Sequence, residues 1–110
     1  AQIHHLLERI QDPVLAGLLV GKYHKARELN VILELNPDSL LGAMTRKDMI
    51  ERVVSILGNL IDNAIDAAIR ASEQRKPHVR VTVDETSKTL LFDVEDSGMG
   101  LGNDHEVIFT

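Results

Sequence analysis

Four polar residues recur at helical spacing in the second half of the chain. Asn59, Asn63, Asp66 and Arg70 fall at intervals of three or four residues, which places them on one face of a helix. The simplest interpretation is a solvated helix face. Asn, however, is a poor helix former, and a merely solvated face does not need two of them. Amide oxygens suit a hard cation such as Mg²⁺, which takes few protein ligands beside water and phosphates. The stripe is therefore a candidate metal and phosphate site.

A second cluster, Asp-Ser-Gly-Met-Gly, occupies residues 96–100. Side chains alternate along a strand, so Asp96 shares the orientation of Val94 if the strand extends that far. A carboxylate on the apolar side of a sheet requires a hydrogen-bond donor, and the exocyclic amine of a purine would supply one. Gly98 and Gly100 let the backbone approach a ligand closely. The alternative is an ordinary turn after a strand, for which Asp-Ser-Gly is common chemistry.

Composition excludes several other kinds of site. The chain has no Cys, so a disulfide framework and a Cys-ligated zinc site are both ruled out. Its 17 acidic and 12 basic residues give a formal charge of −5, which argues against a nucleic-acid groove. No pair among His24, His78 and His105 has metal-ligand spacing. No apolar run is long enough to span a bilayer, and no signal peptide is visible.

The polar stripe is predicted to lie on a long helix over residues 49–72, with Asp48 as its N-cap. The apolar positions of this segment give the strongest periodic signal in the sequence. They are Ile50, Val53, Val54, Leu57, Ile61, Ala64, Ile65 and Ala68.

A second helix is predicted over residues 13–29. Asp12 is a suitable N-cap, Pro13 fits the first helical position, and Asn30 can end the helix in a left-handed conformation. Lys22 interrupts the apolar face, so we expect its stem to lie along apolar surface and its ammonium group in water. That apolar face consists of Leu15, Leu18, Leu19, Ala26 and Leu29. Apolar residues at helical spacing also suggest the end of a helix over residues 3–11.

Three strands are predicted from apolar runs and alternation. The first covers residues 31–35 and is followed by a turn at 36–39. The other two, residues 79–84 and 89–95, form a hairpin around a turn at 85–88. No further strand is predicted after the glycines. This order predicts an α+β fold of two layers, with helices on one face of a mostly antiparallel sheet.

Together, the segment Asn-Leu-Ile-Asp-Asn-Ala at residues 59–64 and the cluster at 96–100 resemble the N box and first glycine box of the GHKL superfamily. That superfamily contains histidine kinases, gyrase-type ATPases, Hsp90 and MutL. Its ATPase branches usually carry a Glu at the position of Asn59, where it activates the hydrolytic water. An amide cannot act as a general base, so the resemblance points to the kinase branch. Residues 13–22 and 57–64 are also similar to sensor kinases of the citrate and C4-dicarboxylate type, and residues 108–109 resemble the start of the F box.

The resemblance implies roles for individual residues. It implies ATP and Mg²⁺ as cofactors, with Asn63 as the Mg²⁺ ligand and Asn59 near the phosphates. Asp96 would accept a hydrogen bond from the adenine amino group, and Gly98 and Gly100 would begin a mobile lid. Asp66 stands where many histidine kinases have a Lys, which leaves Arg70 as a substitute phosphate contact.

The resemblance also implies a fold, an activity and partners. The fold is the Bergerat α/β sandwich, with residues 1–12 as the end of a dimerisation helix or linker and residues 13–110 forming the N-terminal part of the catalytic domain. The activity is transfer of the ATP γ-phosphoryl group to a His on the kinase's own dimerisation domain, and from there to a response regulator. The parent would be a homodimer and this piece its cytoplasmic portion, beneath the bacterial inner membrane.

Some family features are absent from the sequence. The second glycine box and the phosphoacceptor His are not found, so the chain is expected to be truncated and inactive by itself. Two alternatives of other classes are a GHKL ATPase that uses ATP as a conformational clamp, and a non-catalytic dimerisation module.

Overall fold

Two helices and four strands make up the part of the chain that the computed structural model describes, residues 10–37, 39, 47–85, 89–97 and 104–109. The strands form one sheet in the order β1-β2-β3-β4, in which β1 runs parallel to β2 and the other neighbours are antiparallel. The elements are α1 (Pro13–Glu28), β1 (Ile32–Leu35), α2 (Lys47–Arg70), β2 (His78–Glu85), β3 (Thr89–Asp96) and β4 (Asp104–Phe109). The predicted two-layer α+β architecture is confirmed.

Helix α1 has the residues at its two ends that the sequence predicts. The Asp12 side chain accepts hydrogen bonds from the N–H groups of Val14 and Leu15, at 2.9 and 3.1 Å. Asn30 has a φ of 60°, the left-handed conformation that ends a helix. The helix stops at Glu28, one residue before the predicted end.

The segment before α1 differs from the prediction. Ile10 forms a single β-bridge and is buried in the core. The helix predicted over residues 3–11 therefore does not include its last two residues, and residues 3–9 lie outside the described part.

Helix α2 is the long helix that the periodicity predicts, shifted by two residues. It begins at Lys47, so the prediction that Asp48 is the N-cap is wrong. Asp48 is instead the second residue of the helix. Of its predicted apolar residues all are buried except Val54, which is half-buried. Neither described helix has the length and apolarity needed to cross a membrane.

The sheet buries one face only. Alternate residues of β1, β2 and β3 pack beneath the two helices, while their neighbours, such as Glu34 and Asp84, are exposed. The buried residues are Leu33, Leu35, Val79, Val81, Val83, Phe92 and Val94. Helix α1 covers β1 and lies beside α2, which covers the other three strands.

The strands are more numerous than predicted, and their ends differ by at most one residue from the predicted ones. The hairpin is confirmed, with β2 starting at His78 and β3 continuing through Asp96. Strand β1 begins at Ile32, one residue later than predicted. Strand β4 was not predicted: it adds an antiparallel neighbour to β3 along residues 89–94.

Candidate functional site

The polar stripe lies where its spacing predicts. Asn59, Asn63, Asp66 and Arg70 are all exposed on α2. The opposite face of the helix is buried against the sheet by residues such as Ile61. The two amides are thus presented at a surface where a ligand can reach them.

Asp96 lies at the last position of β3. Because the strand extends this far, Asp96 shares the orientation of Phe92 and Val94, which are fully buried beneath the helices. Asp96 itself is half-buried and pairs with Val79 across the ladder. The prediction that its carboxylate points to the helix-covered side of the sheet is consistent with this parity.

The end of β3 is held by a reciprocal pair of hydrogen bonds. The backbone N–H of Ser97 donates to the carbonyl oxygen of His78 at 3.0 Å. The N–H of His78 donates in turn to Oγ of Ser97, also at 3.0 Å. The residue after Asp96 is therefore tied to the start of β2, which fixes the point at which the chain leaves the sheet.

Chain topology brings Asp96 to the end of the sandwich where α2 finishes. Helix α2 leads through residues 71–77 into β2, and Asp96 pairs with the second residue of that strand. Asn63 lies about two turns, or ~10 Å along the axis, before the last residue of α2. The amide stripe and Asp96 thus belong to neighbouring elements, since α2 packs on β3. The two remaining predicted residues, Gly98 and Gly100, lie outside the described residues.

The side-chain oxygens of this surface suit a metal ion that binds together with a phosphate compound. Within the described ranges, no three His, Asp or Glu side chains are grouped so as to hold a metal. Asn63 offers one neutral amide oxygen, which fits Mg²⁺ because that ion keeps several waters and takes the rest of its ligands from phosphates. The chemistry of this surface therefore fits Mg²⁺ bound jointly with a polyphosphate.

The sequence reasoning missed a charged cluster beside the stripe. Lys22 and Lys25 on α1 both contact Oδ1 of Asp62 on α2, at 2.8 and 3.0 Å. The Lys22 ammonium group, expected in water, is therefore paired with a carboxylate on the neighbouring helix. Its stem does lie along the helix interface, near Gly58. A cation within the apolar stripe of α1 indicates that Lys22 has a partner, but the sequence does not identify that partner as Asp62.

The two ammonium groups lower the pKa of Asp62. Partial burial by itself raises the pKa of this carboxyl group. The hydrogen bonds from Lys22 and Lys25, together with their positive charges, outweigh burial and bring the pKa of Asp62 below its ordinary value. Asp62 is consequently ionised at neutral pH and paired with both lysines.

Known proteins resemble this chain over most of its length. The sensor protein CitS of Halalkalibacterium halodurans is 31% identical over 99 residues, and the sensor histidine kinase DcuS of Escherichia coli strain K12 is 33% identical over 103 residues. These matches cover 90% and 94% of this chain but only 18% of each relative. The chain thus spans less than a fifth of the length of these curated relatives.

A solved structure supports the fold. The catalytic domain of the histidine kinase ThkA matches with a TM-score of 0.53 at 22% identity, over 80% of this chain and 58% of that one.

A family model defines the relationship. Residues 49–110 match the model described as histidine kinase-, DNA gyrase B- and HSP90-like ATPase. The match spans more than half of the chain and includes the stripe on α2, Asp96 and the glycines after it. The resemblance derived from residues 59–64 and 96–100 is confirmed. The chain belongs to the family of histidine kinase-, DNA gyrase B- and HSP90-like ATPases.

Proposed function

We propose that this chain is the nucleotide-binding, catalytic part of a sensor histidine kinase. It positions ATP so that the γ-phosphoryl group passes to a His on the dimerisation domain of the same protein, and then to a response regulator. Residues 13–110 form the N-terminal part of the catalytic domain, and residues 1–12 belong to the linker that joins it to the dimerisation domain. The parent acts as a homodimer, with this part on the cytoplasmic side of the inner membrane.

The observation that carries the proposal is the pair of exposed amides on α2 at the positions of the N box. A polar stripe with this composition has no structural partner among the described residues of the sheet, because its side chains face away from the core. Its amides lie on the helix that packs directly on β3, the strand that ends at Asp96.

Each residue has a distinct role in this proposal. Asp96 accepts a hydrogen bond from the exocyclic amine of adenine, which selects a base with a donor at that position. Asn63 supplies an amide oxygen to Mg²⁺, and Asn59 lies near the phosphates. Mg²⁺ held there would supply positive charge to offset that of the phosphate oxygens. Because phosphoryl transfer needs little covalent help from the protein, positioning and electrostatics account for most of the catalysis.

The identity of residue 59 favours transfer over hydrolysis. The ATPases that this site resembles use a carboxylate there to activate water. The amide of Asn59 has no useful basicity, so it cannot take a proton from water. An acceptor imidazole needs no such base, since its ring nitrogen is itself the nucleophile. The site therefore suits a kinase that conserves the γ-phosphoryl group for its His.

The adenine contact can be tested by nucleotide binding to the full-length protein. Replacing Asp96→Asn exchanges an ionised acceptor for an amide, so we expect ATP affinity to fall about 10- to 100-fold, the loss typical of a hydrogen bond to a charged group. The wild type should prefer ATP to GTP, which carries a carbonyl oxygen in place of the amine, and the variant should lose this preference. Asp84→Asn is a matched control, because Asp84 is exposed on the same hairpin. Equal ATP affinities for the wild type and the Asp96 variant would refute the assignment.

The metal role and the reaction class need separate measurements. With Asn63→Ala, binding of Mg²⁺-ATP should weaken more than binding of ATP without Mg²⁺.

With wild-type protein and γ-labelled ATP, label should appear in an acid-labile, base-stable phosphoprotein, as expected of phosphohistidine. Steady release of inorganic phosphate without labelled protein would instead support the ATPase-clamp alternative.

A further inference from the structure

The ion pairs between α1 and α2 converge on one oxygen atom. Lys22 Nζ and Lys25 Nζ lie 2.8 and 3.0 Å from Oδ1 of Asp62. The two lysines lie one turn apart on α1, so together they bracket the carboxylate. Lys22 has a side-chain exposure of 20% and Asp62 of 35%, against 47% for Lys25. The Lys22–Asp62 contact is therefore the better sheltered of the two.

The helix surface around Asp62 is shaped to admit the Lys22 stem. Gly58 lies one turn before Asp62, on the side of α2 that faces α1. A Cβ atom at this position would lie 3.9 Å from Cε of Lys22 and 3.6 Å from Cδ1 of Leu18. The lysine stem thus passes over a glycine on its way to the carboxylate. This packing distinguishes the contact from an ordinary surface ion pair between two mobile side chains.

Asp62 lies within the segment that carries the candidate ligands. It directly precedes Asn63 and follows Asn59 by three residues, or about 300° of helical rotation. Holding Asp62 against α1 therefore adds to the packing on the sheet that sets the direction in which both amides point. Helix α1 is itself anchored, because Asp12 caps its start and Leu15 is fully buried.

We propose that Asp62 is a positioning residue of the nucleotide site, and that Lys22 and Lys25 hold it so that the Asn59 and Asn63 amides face the nucleotide. This inference rests on the proposed function. A change in α1 would reach the site through these contacts. The cluster does not need to touch the nucleotide for this role.

The competing explanation is that the lysines attract phosphates through their charge. The two explanations differ in what happens when the charges are exchanged. A triple variant with Lys22→Glu, Lys25→Glu and Asp62→Lys keeps the ion pairs between the helices but reverses the sign of the cluster's net charge. Positioning should survive this exchange, whereas attraction of phosphate should not.

The test is the affinity of the full-length protein for Mg²⁺-ATP, measured well below the unfolding temperature of each variant. Because exposed and partly exposed ion pairs contribute up to about 1 kcal/mol, we expect Asp62→Asn to weaken binding by about two- to five-fold. Lys22→Met, which keeps most of the stem, should act in the same direction. The triple variant should recover affinity close to that of the wild type. Glu51→Gln is the control, since Glu51 is exposed on α2 and takes no part in the cluster of Lys22, Lys25 and Asp62.

The outcomes separate this inference from the proposed function. If Asp62→Asn binds as tightly as the wild type, Asp62 does not position the site. If the triple variant binds no better than Asp62→Asn, the lysine charges matter and the positioning role is wrong. If the wild type itself binds no nucleotide, the proposed function fails and this inference fails with it.

Discussion

At the scale of single residues, Ser39 is a buried polar group that completes the pairing of β2 beyond the end of β1. Strand β1 stops at Leu35, opposite Val81. The chain then turns, with the Ser39 N–H donating to the carbonyl oxygen of Asn36 at 2.9 Å, as predicted for residues 36–39. Oγ of Ser39 accepts a hydrogen bond from the N–H of Val83 at 3.0 Å. The Ser39 side chain thus provides the acceptor for the Val83 N–H, which lies beyond the end of β1.

We predict that Ser39→Ala lowers the free energy of unfolding by about 1–3 kcal/mol, because the buried Val83 N–H loses its acceptor. Urea denaturation measures this loss, and hydrogen exchange at the Val83 amide should accelerate by more than at the neighbouring strand amides. Ser72→Ala is the control: Ser72 is exposed, so its replacement should change stability by less than ~0.5 kcal/mol. Equal effects of the two substitutions would contradict this account of Ser39.

At the scale of elements, the α1–α2 interface is close-packed around a glycine. Gly58 is buried in the middle of α2, with Leu18 and Lys22 of α1 above it. The distances to these side chains leave ordinary van der Waals room for a methyl group, but not for a larger side chain. Mid-helix glycine costs stability, because it loses more backbone freedom on folding than alanine does.

We predict that Gly58→Ala raises the free energy of unfolding by about 0.5–1 kcal/mol, the usual gain from helix propensity. Gly58→Leu should instead lower it by about 1–3 kcal/mol through overpacking. Gly21→Ala on α1 provides the comparison, since nothing lies within 4 Å of a Cβ atom there and only propensity changes. Thermal or urea unfolding of the three variants gives the result. Destabilisation by Gly58→Ala would show that the helices are closer than the structure indicates.

The elements differ in how well the sequence predicts them, for identifiable reasons. Helix α2 is predicted almost completely, because its buried residues recur over many turns. Strand β4 is not, because its short sequence mixes charged and apolar residues and its pairing with β3 supplies what local preference lacks. The start of α2 is predicted wrongly because Asp48 suits both the N-cap and the first turn.

The candidate site shows the same limit. Spacing alone predicts that Asn59 and Asn63 share an exposed helix face, and alternation predicts the orientation of Asp96. The contact of Lys22 with Asp62 could not be predicted, because it depends on how α1 lies beside α2. Which side chains meet across such an interface depends on tertiary packing. The periodicity of one helix carries no information about it.

At the scale of the whole molecule, short-range and long-range pairings coexist in one sheet. Strands β2 and β3 form a hairpin that closes between Glu85 and Leu90. Strand β1 joins the same sheet only through β2, by pairing Ile32–Leu35 with residues 78–81, across the whole of α2. A far longer stretch of chain therefore separates β2 from its parallel neighbour β1 than from its antiparallel neighbour β3.

This topology has a consequence for the order of folding. Closing a long loop costs more entropy than closing a hairpin, so pairings of distant residues tend to form late. We expect α2 to pack on the β2–β3 hairpin in the folding transition state, and β1 to dock afterwards. Val83→Ala should then mainly slow folding, whereas Leu33→Ala should mainly accelerate unfolding.

Stopped-flow measurements of both rates against urea concentration, for these two variants, test the order. If Leu33→Ala slows folding in proportion to its loss of stability, β1 is already docked in the transition state and the proposed order is wrong. A transition state built from α2 and the hairpin already contains Asn59, Asn63 and Asp96. The residues assigned to the nucleotide would then be assembled before the first strand of the domain is in place.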